Sequence, residues 1–145
     1  MLISGRGSNM AALIRAAEAP DYPAEIALVI SNRKDAPGLA FAAGRGIETA
    51  VIAHKGFVDR ASFDLAMTVR METARIDIVC LAGFMRLLSP SFCATWEGRL
   101  INVRPALLPA FKGLDTHARA LEAGVRIHGA SVHFVIPEMD EGPII

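Results

Sequence analysis

Cysteine is scarce in this sequence: only Cys80 and Cys93 among 145 residues. One lies in an apolar run and the other in an expected helix. With no close pairing and no Cys/His cluster, neither a disulfide framework nor a structural zinc is supported, and no metal is expected. A surplus of charge is missing too, since fifteen basic residues balance fifteen acidic ones. That balance argues against a nucleic-acid surface. Long hydrophobic runs are also lacking. The longest, Ile78–Met85, is far too short to cross a bilayer and reads as a buried strand entering a turn. Met1-Leu2-Ile3 has no cationic start or long apolar core before Ser4-Gly5-Arg6, so it does not read as a signal peptide. The expectation is a cytoplasmic chain with no membrane or nucleic-acid partner; its oligomeric state is not legible.

What is present is apolar for a small domain: 52% hydrophobic and 21% charged. That suggests one domain whose sheet is covered on both faces. Apolar strands alternate with helical patterns. Strands are expected at Met1–Ser4, Glu25–Ser31, Glu48–Ala53, Ile76–Leu81, Arg99–Val103 and Ala130–Ile136. Helices are expected at Asn9–Ala17, Gly38–Ala43, Arg60–Ala74, Ser89–Trp96 and Thr116–Ala123, with Gly46 and Gly124 as stops. In Arg60–Ala74 the residues Phe63, Ala66, Met67, Val69 and Met71 form a broad apolar face, and Asp59 is placed to cap the helix. This alternation implies an α/β, doubly wound, mostly parallel sheet, with ligands beyond the carboxyl ends of its strands. Both ends read as cut. Met1–Ser4 is short for a first, central strand, which usually runs about 5–6 residues, and Gly142-Pro143-Ile144-Ile145 is an apolar start with nothing after it. Residues 1–145 are read as a single domain lacking part of its first strand and its last elements.

Four stretches carry possible chemistry. Ser4-Gly5-Arg6-Gly7-Ser8-Asn9 sits between the first strand and helix, where glycines admit an anion and the helix N-terminus offers free N–H groups. It lacks the Lys-Ser/Thr ending of a P-loop and the Gly-x-Gly-x-x-Gly spacing, so neither ATP nor NAD is indicated. In Leu100–Pro109 an apolar strand stops at Pro105, with Asn102 and Arg104 on one face, two residues apart. Two polar donors there are costly unless something polar meets them. After the last expected strand, on which Ser131, His133 and Val135 share a face, Asp140 stands in a turn from which its carboxylate can point back towards Asn102 and Arg104. A fourth stretch, Leu81–Pro90, leaves a buried strand as a loop whose Phe84, Met85, Leu87 and Leu88 either cover the core or wall a flat apolar ligand.

Taken together, these motifs resemble the phosphoribosylglycinamide formyltransferases, folate-dependent enzymes of purine synthesis. The resemblance runs from Ile3 to Ile145. It rests on Ser4-Gly-Arg-Gly-Ser-Asn9, Ser31-Asn-Arg, Leu81-Ala-Gly-Phe-Met-Arg86, Asn102-x-Arg-Pro-x-Leu-Leu-Pro109, His128-Gly-x-Ser-Val-His133 and Asp140-x-Gly-Pro143. It implies a Rossmann-like formyltransferase domain with an N-terminal phosphate-binding half and a folate-binding, catalytic half. Gly7, Ser8, Asn9, Met10 and Ala11 would hold the ribosyl phosphate of phosphoribosylglycinamide. Arg60, Met85, Arg86, Leu87, Leu88 and Asn102 would contact 10-formyltetrahydrofolate, the co-substrate, with no metal. Asn102 and Asp140 would be catalytic, and Arg104 occupies a third catalytic position.

That third position departs from the family, whose motif is Asn-x-His-Pro with the histidine as general acid. Arginine stays protonated, so it can stabilise an oxyanion and pair with Asp140 but cannot shuttle a proton at neutral pH. Asp115 also stands where relatives commonly have histidine, and Ala106 stands for serine. Three readings follow: an enzyme of the family impaired by Arg104, a non-catalytic folate- or nucleotide-binding relative, and a sister enzyme. The sister would be formyltetrahydrofolate deformylase or methionyl-tRNA formyltransferase. The Ser4–Asn9 cradle disfavours both, and the neutral charge further disfavours a tRNA partner.

Overall fold

Short apolar runs become strands wherever a neighbour can satisfy their backbone. The computed structural model, which describes residues 1–145, joins six of them into one sheet. The strands are β1 (Leu2–Ile3), β2 (Leu28–Ser31), β3 (Glu48–Val51), β4 (Val79–Leu81), β5 (Leu100–Arg104) and β6 (Ser131–Phe134). The helices are α1 (Ser8–Ala17), α2 (Pro37–Ala43), α3 (Arg60–Thr73), α4 (Pro90–Thr95) and α5 (Thr116–Glu122), and a 3-10 turn spans His54–Gly56. The strand order is β3-β2-β1-β4-β5-β6, which puts the reversal of winding between β1 and β4. A ligand crevice is expected beyond the strand ends at that point.

Alternation along the strands sorts the core into two layers. Leu2, Leu28 and Ile30 face α3 and α4, where Phe63, Met67, Met71, Phe92, Cys93 and Trp96 are buried with them. Ile3 and Val29 face α1 and α2 and pack with Met10, Ile14, Ala36 and Ala42. Asp59 caps α3 as expected, accepting the Ser62 N–H at 2.7 Å. The α3 stripe is rotated from its expected face. Asp64 and Thr68 are buried, while Val69 is 54% exposed. Burial follows the 63-67-71 and 64-68 rows of a 3.6-residue repeat, and Val69 falls off both. The buried Asp64 accepts the Ser89 N–H at 2.6 Å, and Thr68 Oγ1 lies 3.4 Å from Trp96 Nε1.

One strand runs against the others. β1 to β5 pair in parallel, but β6 pairs antiparallel with β5, matching Asn102 with His133 and Arg104 with Ser131. After β6 the chain turns back on itself: the Phe134 N–H donates to the Pro143 carbonyl, and His133 bridges Ile144. Gly142 is obligatory in this return, since a Cβ there would stand 1.8 Å from the Phe134 carbonyl oxygen. No helix is long and apolar enough to cross a membrane.

Candidate active site

The loop between β1 and α1 forms one wall of the site. Gly7 precedes α1 in the left-handed region (φ 68°) and supplies no side-chain cap to the helix. The first-turn N–H groups therefore have no side-chain acceptor and are available to an anion. Ser8 and Asn9 are exposed and line a cavity of about 500 Å³ with Gly5, Arg6 and Gly7, facing Asn32, Arg33 and His54 from neighbouring strand ends. Of the five expected phosphate contacts, only Ser8 and Asn9 carry side-chain donors. Met10 and Ala11 are buried, and the Ala11 N–H is already spent on the Gly7 carbonyl at 2.8 Å. Ala11 supports the seat from beneath, and Met10 offers only its backbone.

The loop after β4 closes the opposite side. Its apolar residues divide: Leu88 is 8% exposed and belongs to the core, whereas Met85 is 71% and Leu87 56% exposed. Of the expected folate contacts, the Leu88 side chain is thus committed to packing. Met85 and Arg86 line the same cavity as Ser8 and Asn9. The loop is pinned at both ends, the Met85 N–H donating to Ser4 Oγ at 2.8 Å and the Ser89 N–H to Asp64. Arg33 is tied to Asp35 through Nε and NH2 at 3.1 and 2.8 Å, hydrogen bonds that hold the Asp35 carboxyl below its usual range. Arg6 and Arg86 make no ion pair, so they are the free cations of the lining. Arg60 is exposed at the first residue of α3 and does not line the cavity.

The third part lies on β5 and β6. Asn102 sits beside Leu81 of β4, whose successors Ala82 and Gly83 reach the cavity; Asn102, Arg104 and Asp140 themselves stand outside its lining. Arg104 Nε lies 3.1 Å from Asp140 Oδ2, and the two side chains are 18% and 4% exposed. Asp140 Oδ2 also accepts the Gly113 N–H at 3.0 Å. His133, buried on the face it shares with Ser131, stands between Asn102 and Asp140. Its Nδ1 meets the Phe134 carbonyl at 2.8 Å, and its Nε2 lies 3.3 Å from Asn102 Nδ2 and 3.9 Å from Asp140 Oδ1. A carbonyl only accepts, so Nδ1 carries the ring proton and Nε2 accepts from Asn102. The Asn102 amide is thereby oriented, with one N–H on His133 and one free. The antiparallel register carries this pairing, and an apolar strand pattern does not reveal its partner's direction.

An amide donor, a guanidinium and a carboxylate in one buried group can stabilise a developing oxyanion and accept a proton. The exposed helix start can hold a phosphate. Across the chain, no three His, Cys, Asp or Glu side chains gather to hold a metal ion. Asn32, which the sequence offers only as part of the Ser31-Asn-Arg motif, and His54, which no motif includes, also line the cavity. His54 lies in a 3-10 turn that follows no apolar repeat.

The formyl transferase family model matches residues 1–145. The chain is 49% identical, over its whole length, to the human trifunctional purine biosynthetic protein adenosine-3, of which it spans 14%. It is 44% identical to the phosphoribosylglycinamide formyltransferase of Escherichia coli K12, again over its whole length, and spans 68% of that protein. The crystal structure of phosphoribosylglycinamide formyltransferase from Brucella melitensis superposes with a TM-score of 0.94 at 51% identity, covering 99% of this chain and 73% of that one.

Proposed function

The chain belongs to the formyl transferase family, and we propose that it moves a formyl group from 10-formyltetrahydrofolate to the amine of phosphoribosylglycinamide. The observation that carries this reading is the pairing of Asp140 with Arg104 beside an oriented Asn102, in a chain whose first helix start is uncapped and able to seat a phosphate. In this reading residues 1–145 act as one unit, with an N-terminal phosphate-binding half and a folate-binding, catalytic half. We place the chain in the cytoplasm with small-molecule partners and no nucleic acid, in keeping with its neutral charge.

The amine nitrogen attacks the formyl carbon, giving a tetrahedral species with a negative oxygen and a positive nitrogen. The free Asn102 N–H donates to that oxygen, a contact worth about 3 kcal/mol in comparable sites. Arg104 lends its fixed charge to the same oxygen. It holds its proton throughout, so Asp140 takes the proton from the amine, directly or through a water. Asp140 then returns it to the folate nitrogen as the carbon–nitrogen bond breaks, and the proton count closes with tetrahydrofolate released. Gly7, Ser8, Asn9 and the Met10 backbone hold the phosphate, with Ala11 beneath; Met85, Arg86, Leu87 and Arg60 face the folate, and Leu88 anchors its loop.

The test is an assay of both products with both substrates saturating, on the protein and on Arg104→His. We expect slow formyl transfer, raised by at least about 10²-fold in the variant, the low end of general acid catalysis. Binding of both ligands with no turnover in either protein would make the chain a non-catalytic relative. Formate released without the glycinamide substrate would mark a deformylase.

A further inference from the structure

Three side chains form one hydrogen-bonded line across the carboxyl ends of the first three strands. Ser4 follows β1, Asn32 follows β2, and His54 opens the 3-10 turn after β3; Ser4 and Asn32 are 6% and 5% exposed. The Met85 N–H donates to Ser4 Oγ (2.8 Å), Ser4 Oγ donates to Asn32 Oδ1 (2.6 Å), and Asn32 Nδ2 lies 3.3 Å from His54 Nδ1.

Valence gives the line a direction. A backbone N–H only donates, so Met85 takes a lone pair of Ser4 Oγ. The single hydroxyl proton then goes to the Asn32 carbonyl oxygen, which turns the amide nitrogen towards His54. The neutral imidazole must accept at Nδ1 and carry its proton on Nε2. Bonds aligned head to tail in a buried setting polarise one another. An aromatic stack ties the same two ends: Phe84 lies parallel to Phe63 at 6.5 Å, and Phe63 meets the His54 ring edge-on at 6.3 Å. Ser4, Asn32, His54 and Met85 all line the 500 Å³ cavity.

We propose that Ser4, Asn32 and His54 are positioning residues that set the Met85 backbone, where the folate loop begins, at a fixed distance from the phosphate seat on α1. The identity of the ligands rests on the formyl-transfer reading; the line itself does not. Asn32→Leu breaks the line, leaving Ser4 without its acceptor. Asn32→Asp keeps it, because a carboxylate still accepts from Ser4 and His54 can meet it by moving its proton to Nδ1.

Two readouts test the proposal, amide hydrogen exchange at Met85 and calorimetric titration with tetrahydrofolate. In Asn32→Leu we expect faster Met85 exchange and tetrahydrofolate binding weaker by roughly tenfold, the worth of one hydrogen bond. Asn32→Asp should stay within about twofold of the parent in both. Should Asn32→Leu not fold, Ser4→Ala, which removes the acceptor of the Met85 N–H, takes its place. Unchanged Met85 exchange, or Asn32→Asp as impaired as Asn32→Leu, overturns the line. Faster exchange with unchanged tetrahydrofolate affinity overturns its positioning role. If the parent protein binds no tetrahydrofolate, the formyl-transfer reading fails, and Met85 exchange alone decides whether the line exists.

Discussion

Arg104 Nε lies 3.1 Å from Asp140 Oδ2, yet it donates no hydrogen bond. The pair is held by charge and by the frame around it, the Gly113 N–H on Asp140 and the β5–β6 pairing beneath Arg104. On the formyl-transfer reading, a fixed cation therefore stands at the position where the resemblance implies a general-acid histidine.

The pH dependence of turnover should expose this. Arginine keeps its proton across the working range, so residue 104 contributes no limb to the kcat profile of the parent protein. Arg104→His should gain one. Its imidazole must be protonated to act as an acid, so kcat falls as pH rises through a value at or above about 6.5, with Asp140 favouring the cation. Other titrating groups are common to both proteins, so the difference profile isolates position 104. Parallel profiles from pH 5 to 9 would remove the acid role from this position.

Asn102 is expected to act on the transition state. Asn102→Ala removes the oriented donor and should lower kcat by about 10²–10³-fold while KM for either substrate moves little. Steady-state kinetics separate the two parameters. A rise in KM with kcat intact would instead make Asn102 a ground-state binding residue.

The Arg104–Asp140 pair has a stability signature. Asp140→Ala strands a guanidinium that is 18% exposed, and we expect a loss of up to about 3 kcal/mol, the lower end for a broken buried pair. Removing both charges in Arg104→Leu/Asp140→Ala should recover much of that loss. Urea unfolding of the parent, both single variants and the double variant measures the coupling.

Burial pushes the Cys93 thiol up, with the nearby Asp64 and Glu138 carboxylates adding to the effect, and burial does the same to Cys80. A raised value keeps the thiol protonated at pH 8, and the thiolate is the nucleophile. Both cysteines should resist iodoacetamide in the folded protein and react fully in denaturant, as read by intact mass. Rapid native alkylation of Cys93 would contradict its place in the α4 core.

The parts legible in the sequence were those with a local cause. Asp59 ahead of an apolar repeat announces α3 and its cap, and a Gly/Ser turn between strand and helix announces the α1 start. The mismatches have non-local causes. Nothing in Ala130–Ile136 states that β6 runs antiparallel, since alternation is the same in either direction. The expected stripe on α3 included Val69 because an apolar residue reads as buried; the helix instead spends that angle on solvent and turns Asp64 and Thr68 inward to meet Ser89 and Trp96. In the Met85–Leu88 loop, the division between an exposed Met85 and a buried Leu88 depends on where Phe63 and Phe92 stand, which a loop sequence does not encode. His54 gains its place through Asn32, which follows a different strand, and through Phe63 of α3.

The Gly142 contact bears on how this centre can be altered. Asp140 reaches Arg104 because the main chain doubles back at a spacing that leaves no space for a methyl group. Its carboxylate is thus aimed by the path of the polypeptide, whereas Asn102 is aimed by a neighbouring ring. Libraries that diversify the tip of this turn without sparing the glycine would lose the acid's location before sampling any new chemistry.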